Sequence, residues 1–229
     1  MMNSPSRHSS GLSQTSTLSQ TSTLSTGLLA GLLWMLGACA EDLQPRDDDD
    51  GVIGGGDGKA ITTRNDDGSY TTAIDATSTT DWTSIDFDLG LESIAPDDSW
   101  DLGVQRFHFR LHEGTPGAGG ATVMALGDVP LLQVDKPGNG EWLVDLPDGD
   151  DENTTPDYAF ERGEGWYDYD SASHVLTPFP TTWLLRTGEG ALRAIRIESY
   201  YDAAGTSAKF QLRWRSVRST LAAELAAHP

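Results

Sequence analysis

Residues Lys209–Arg215 alternate without a break. Phe210, Leu212 and Trp214 are apolar, and Lys209, Gln211, Arg213 and Arg215 between and around them are polar. Successive side chains of a strand point to opposite faces, so this pattern buries one face and wets the other, whereas a helix would scatter the same residues around its circumference. The segment Arg106–His112 repeats it, with Phe107, Phe109 and Leu111 against Arg106, His108, Arg110 and His112. Upstream, Leu102 and Val104 sit on the opposite parity, which predicts a bulge near Gln105. Ile195, Ile197 and Tyr201 alternate with Arg196 and Glu198, and the segment 202–206 supplies Gly205 for a positive-φ turn, so 191–217 reads as a hairpin.

Weaker strands are expected at 69–75, 82–89, 121–126, 141–145 and 182–187, and only Thr220–Ala227 has a helical pattern. Many short strands separated by Gly, Pro and Asp turns predict an all-β fold, a single domain of sandwich-like antiparallel sheets over 61–219 with a short tail at 220–229.

Ahead of that domain the chain changes character. A hexamer, Leu-Ser-Gln-Thr-Ser-Thr, is written twice over 12–23, and such low complexity cannot bury enough apolar surface to order itself. The apolar run Gly27–Gly37 is shorter than the roughly 20 residues a membrane helix needs, but it has the size of a secretory h-region. It ends in Leu36-Gly37-Ala38-Cys39, small residues before the one cysteine of the chain, which resembles a bacterial lipobox. There the thiol takes the lipid, so Cys39 is the expected lipidation site and 1–38 the signal peptide with its leader. Residues 39–60, with Asp47–Asp50 and a glycine-rich stretch, read as an acidic tether. The aspartate run lacks the alternating ligand spacing of a calcium loop, because the first ligand position falls on Arg46.

Charge narrows the function further. With 15 Lys+Arg against 35 Asp+Glu the net charge is -20, and a chain that acidic repels phosphate backbones, which excludes nucleic-acid partners. Residues 41–170 alone carry a balance of -24, and residues 171–229 are mildly basic. No Gly-x-Ser-x-Gly elbow, His-Glu-x-x-His or Walker loop is present, and with Cys39 committed to lipid no cysteine remains for catalysis, so a non-enzymatic role is expected. Asp168 and Asp170 are the named candidates for paired-carboxylate hydrolysis, and 117–120 for a backbone anion nest.

Two segments carry a more specific signal. One is Trp100-Asp101-Leu102-Gly103-Val104-Gln105-Arg106-Phe107-His108-Phe109-Arg110-Leu111, followed by Gly119-Gly120-Ala121-Thr122-Val123. The other is Gly165-Trp166-Tyr167-Asp168-Tyr169-Asp170 through His174-Val175-Leu176-Thr177-Pro178, continuing to Tyr200-Tyr201-Asp202. With Gly68-Ser69-Tyr70 and Trp82, and in this order over about 68–217, they resemble the HmuY family of bacterial haem-binding outer-membrane lipoproteins. The resemblance implies lipid anchoring at the outer membrane, on its periplasmic or surface side, and haem capture for iron acquisition. It also implies delivery to a TonB-dependent receptor.

The resemblance further implies two axial iron ligands, histidine or methionine, one before and one just after the tryptophan of the second segment. Residues 125–165 contain neither, and His174 lies a few residues late after Trp166. His108 and His112 share a strand face but stand roughly 13 Å apart, too far to clamp one iron. The open pairings are His174 with Met124, or His174 with His108 or His112. For the haem carboxylates the exposed stripe of Arg213 and Arg215, with Arg196 beside it, is the candidate. The competing expectation is a surface lipoprotein that has lost haem and uses Trp82, Trp100, Trp142, Trp166, Trp183 and Trp214 for protein or glycan contacts.

Overall fold

The structure, a computed structural model, describes residues 52–54, 58–93, 99–113, 115–116, 119–148 and 155–218. The signal peptide, Cys39, most of the tether, the acidic segment 149–152, Gly117 and Ala118 of the expected nest and the tail helix lie outside them. The strands are β1 (Val52–Gly54), β2 (Ala60–Arg64), β3 (Tyr70–Asp75), β4 (Thr83–Asp86), β5 (Leu91–Ser93), β6 (Leu102–Gln105), β7 (His108–Leu111) and β8 (Thr115–Pro116). They continue as β9 (Gly119–Gly120), β10 (Thr122–Ala125), β11 (Tyr167–Asp170), β12 (Val175–Pro178), β13 (Thr182–Arg186), β14 (Leu192–Tyr201) and β15 (Ser207–Val217). Helix among the described residues is confined to two 3₁₀ turns, Leu131–Gln133 and Ala159–Glu161.

A large sheet in the order β1-β2-β3-β15-β14-β13-β10 packs on a smaller one in the order β5-β4-β6-β7, and β11-β12 forms a separate hairpin. The expected antiparallel sandwich is present. Its core comes from the alternation: Tyr70, Ile74, Ile195, Ile197, Phe210, Leu212 and Trp214 of the large sheet meet Ile85, Leu102, Val104, Phe109 and Leu111 of the small one, all buried. Trp214 stacks on Tyr70 at 4.5 Å and donates its indole N–H to Thr72, so the buried polar end of the ring is satisfied. The opposite face of the large sheet carries a second, smaller core. Met124, Leu184, Leu192, Ala194 and Val217 are covered there by the loop of Leu131 and Val134, which is why β13 is buried on both faces.

Three sequence expectations change in detail. The parity switch at Gln105 is a tight hairpin turn at Arg106–Phe107, not a bulge, because β6 and β7 pair Gln105 with His108. Arg106 takes φ 53 in that turn and donates its backbone N–H to Ala76. Phe107 therefore leaves the core and is 36% exposed. In the 191–217 hairpin, the register shifts between Ile197 and Tyr201. That irregularity turns Tyr200 inward and leaves Tyr201 half-buried, the reverse of strict alternation. The segment 141–145 contributes only an isolated bridge, Leu143 to Val123.

One end of the sandwich is closed by charge. Arg193, 1% exposed, reaches from β14 to the Phe87 carbonyl at 3.0 Å and the Asp88 carboxylate at 3.1 Å. The Asp101 carboxylate accepts the N–H of Phe87, in the β4–β5 turn of the small sheet, and of Gly188, in the β13–β14 turn of the large one, at 2.8 and 2.7 Å. Asp86 accepts the N–H groups of Asp88 and Leu89. The three carboxylates bring ligand atoms within 4.8 Å of one another. Burial raises Asp101 to about 8 and Asp86 to about 6 against their backbone hydrogen bonds, and the neighbouring acids add to the rise.

Below the ordinary carboxylate range both states of the chain hold these protons. As pH rises from about 4 towards 8 the unfolded chain releases them first, so these groups make the fold progressively less stable across that window. Asp101→Asn removes the largest part of that slope and leaves one backbone N–H without its acceptor. We expect the variant to lose about 1–3 kcal/mol at pH 5 and to close on the wild type by pH 8. Urea unfolding followed by tryptophan fluorescence at both pH values reads this; an unchanged slope would remove Asp101 from the clamp.

Candidate functional site

A band of rings and cations runs over the outer face of the small sheet, and its origin is the parity of β7. Phe109 and Leu111 point inward, so His108, Arg110 and, just past the strand, His112 stand outside, all half-buried. From the root of the β11-β12 hairpin, successive ring centroids are 6.3 Å apart for Tyr167 and Phe107, 4.0 Å for Phe107 and His108, 5.3 Å for His108 and Tyr158, and 5.8 Å for Tyr158 and Trp82. The Arg110 guanidinium then lies 4.4 Å from the Trp82 ring and 4.7 Å from that of Trp100, which meets His112 at 4.6 Å. Cation and rings thus form one continuous surface.

Two contacts hold the hairpin end in place. Trp166, 1% exposed, donates its indole N–H to the Phe107 carbonyl at 3.1 Å and packs against Phe109 and Phe210. Tyr201, placed by the register shift in β14, accepts the N–H of Leu176 at 3.1 Å. The Asp170 carboxylate caps the turn through Ala172 and Ser173, chiefly the Ser173 hydroxyl, which lowers its pKa. That is a turn-capping use of a residue considered for hydrolysis. Asp168 is exposed on the neighbouring hairpin position. Gly119, of the nest, donates its N–H to the Gly188 carbonyl.

The three histidines sit at different stations. His174 is exposed in the β11–β12 turn with φ 58, an uncommon conformation for a residue with a Cβ, and its Nδ1 lies 2.6 Å from the Tyr169 hydroxyl. His108 Nδ1 lies 2.8 Å from Glu161 Oε1, and His112 Nδ1 lies 2.5 Å from the Gly119 carbonyl. A carboxylate or a carbonyl can only accept, so in both cases Nδ1 carries the proton and Nε2 the lone pair. That is the tautomer in which a histidine binds a metal through Nε2, with its other nitrogen oriented by an acceptor. In donor chemistry, these histidines fit a haem iron.

Met124 does not stand with them. It is 1% exposed on the far face of the large sheet, and the Gly140 backbone presses on it so closely that a Cβ there would come 2.9 Å from its Cγ. Arg213 and Arg215 are also engaged. Arg213 donates to Ser69 at 3.1 Å and pairs with Asp67, Arg215 donates to the Leu132 carbonyl at 2.7 Å, and Arg196 pairs with Asp128. Arg215 lines a cleft of about 600 Å³ with Asp67, Tyr70, Asp135, Ser216 and Arg218, a lining without histidine or methionine. Of the six tryptophans of the domain, Trp166, Trp183 and Trp214 are buried, while Trp82, Trp100 and Trp142 are half-buried, each against an arginine.

The roles of Glu161 and Tyr169, and the lack of an ion pair between Arg110 and any described residue, were not legible in the sequence. Each depends on neighbours from a distant segment, and no local spacing announces them.

No protein-family profile and no curated protein matches the chain. Solved structures do. A protein from Bacteroides fragilis assigned as a lipoprotein is 20% identical, with a TM-score of 0.51 over 67% of this chain and 91% of its own. A protein from Bacteroides vulgatus assigned as HmuY-like and haem-binding is 18% identical, with a TM-score of 0.51 over 64% and 90%. The apo HmuY analogue of Tannerella forsythia is 12% identical, with a TM-score of 0.50 over 66% and 96%. The fold of this chain is the HmuY-like fold.

Because the Trp166 indole N–H ties the Phe107 turn to the core, Trp166→Phe keeps most of the ring but not the bond. A loss of about 1–2 kcal/mol in urea unfolding is the expected outcome, and an unchanged midpoint would mean the turn is held by packing alone.

Proposed function

We propose that the protein is a lipid-anchored haem-binding protein of HmuY type, working in iron acquisition at the outer membrane without catalysing a reaction. The observation that carries this reading is His108 with its Nδ1 on Glu161, set in an aromatic band on a fold shared with HmuY-like proteins. Haem brings an iron that accepts imidazole nitrogens and a flat macrocycle that packs on rings. His108 at the band, oriented by Glu161, is the ligand we favour, and His174, held to Tyr169 at the far turn of the β11-β12 hairpin, is the second candidate. His112 is the reserve. Met124 is left out because its thioether is enclosed by Leu184, Leu131 and the loop above them.

Lipidation at Cys39 and a TonB-dependent receptor as the recipient of haem belong to the same reading. The lipobox-like Leu36–Cys39 supports the first, and the fold likeness to a protein assigned as a lipoprotein agrees with it. The paired state of Arg213 and Arg215 speaks against their receiving the haem carboxylates.

Haemin titration of the purified protein, followed in the Soret region, tests the reading. A saturable band at low micromolar haemin, weakened about tenfold or more by His174→Ala or His108→Ala, is expected. No shift at tens of micromolar would end the haem proposal and favour the protein- or glycan-contact alternative. Separately, Cys39→Ser should abolish incorporation of labelled fatty acid in a bacterial host and release the protein from the membrane fraction. Retention of label would place the anchor elsewhere.

A further inference from the structure

Arg110 stands apart from the paired cations described above. It makes no hydrogen bond or ion pair with any described residue, and its Nε is buried without a partner. Burial costs it some of its charge affinity, with Tyr158, Asp145 and Glu113 acting in the opposite sense. Each Asp145 oxygen accepts a backbone N–H, from Leu111 and from Ala159, and Asp145 acts on Arg110 through its charge without forming an ion pair with it. The guanidinium carbon lies over the rings of both Trp82 and Trp100, and the side chain is seated on Gly103, where a Cβ would come 2.7 Å from its Nε and 2.9 Å from its Cγ. Nε is thus turned to the sheet. The two terminal nitrogens of the guanidinium make no hydrogen bond to a described residue.

We propose that Trp82, Arg110 and Trp100 form a binding slot for the carboxylate of an acidic sugar ring. A carboxylate meets the edge of a guanidinium through two parallel hydrogen bonds, and the C–H faces of a sugar ring rest on aromatic rings. A single negative charge suits the position better than a phosphate, because Glu113 and Glu161 lie nearby and the chain carries a net charge of -20. A peptide adding as a strand would need the free edge of β7, and Asp145 already holds the N–H of Leu111 there. Side-chain recognition of a ring therefore fits the surface better than strand addition. The slot rests on Arg110 and the haem reading on His174 and His108, so either can fail alone.

The test is calorimetric titration of the full chain with trigalacturonate, with neutral galactotriose and inorganic phosphate as the comparison arms. Saturable trigalacturonate binding is expected, at least tenfold tighter than either comparison. Arg110→Gln should weaken it about ten- to a hundred-fold, the range for a lost charge-assisted pair. Gly103→Ala should weaken it too, since it keeps the charge and displaces the guanidinium from its seat; circular dichroism and a thermal melt verify that each variant is folded. His174→Ala should leave it unchanged. Equal binding of neutral and acidic trisaccharides, phosphate binding as tight as trigalacturonate, or an undiminished Arg110→Gln variant would each overturn the proposal. So would haemin binding that depends on Arg110 with no sugar binding, because it would assign the slot to the haem carboxylates.

Discussion

Arg193 is a fully buried guanidinium at the meeting of two sheets, and what it requires sets how those sheets sit. A buried charge is tolerated only when paired and hydrogen-bonded, and here the Phe87 carbonyl and the Asp88 carboxylate meet that need from the opposite sheet. Asp101 works in the reverse direction, an acceptor in the small sheet holding the Gly188 N–H of the large one. Apolar packing fixes the spacing of the two sheets but is not directional. Hydrogen bonds across the gap supply the direction, so the position of β6 and β7 relative to β14 follows from this cluster.

The band on the outer face is a consequence of that placement. With Phe109 and Leu111 directed at the shared core, the remaining parity of β7 puts His108 and Arg110 on the outside whatever else the chain does. The turns before β4 and β6 then bring Trp82 and Trp100 to either side of Arg110. At the other end the Trp166 indole fixes the Phe107 turn, and Tyr201 steadies the hairpin that carries His174. Core and surface are thus two parities of the same strands, and a substitution in one is felt in the other through the backbone they share.

That explains which parts were legible beforehand. The strand segments, the sandwich and the 191–217 hairpin follow from alternation and turn glycines, which are local properties. The departures occur where tertiary context decides. A two-residue turn at Arg106 and a bulge at Gln105 both flip parity, and only pairing distinguishes them. Tyr200 and Tyr201 exchange places through two register shifts that no composition signals. Arg193 was hidden for a stronger reason. An arginine in phase with Ile195 and Ile197 violates the pattern, and its partners lie over a hundred residues away in sequence. The candidate ligands divide on the same line: Met124 among apolar neighbours is core, while the partners that orient His108 and His174 come from the fold.

Charge gives the last constraint on what the surface can hold. A chain with a net charge of -20 disfavours anions over most of its surface, and both haem and acidic sugars carry carboxylates. Where acids and bases adjoin, as at Arg213 with Asp67 or Arg196 with Asp128, the cation is already neutralised and an incoming anion gains little. Arg110 has Asp145 and Glu113 within electrostatic reach but no ion pair with a described residue, and the groups its guanidinium rests on are indoles, which attract a cation through their π faces without cancelling its charge. Packing on them also removes rotamer entropy that a flexible arginine would lose on binding. An acidic protein can therefore keep an anion site by seating a cation on rings instead of in a salt bridge, and Arg110 has that construction.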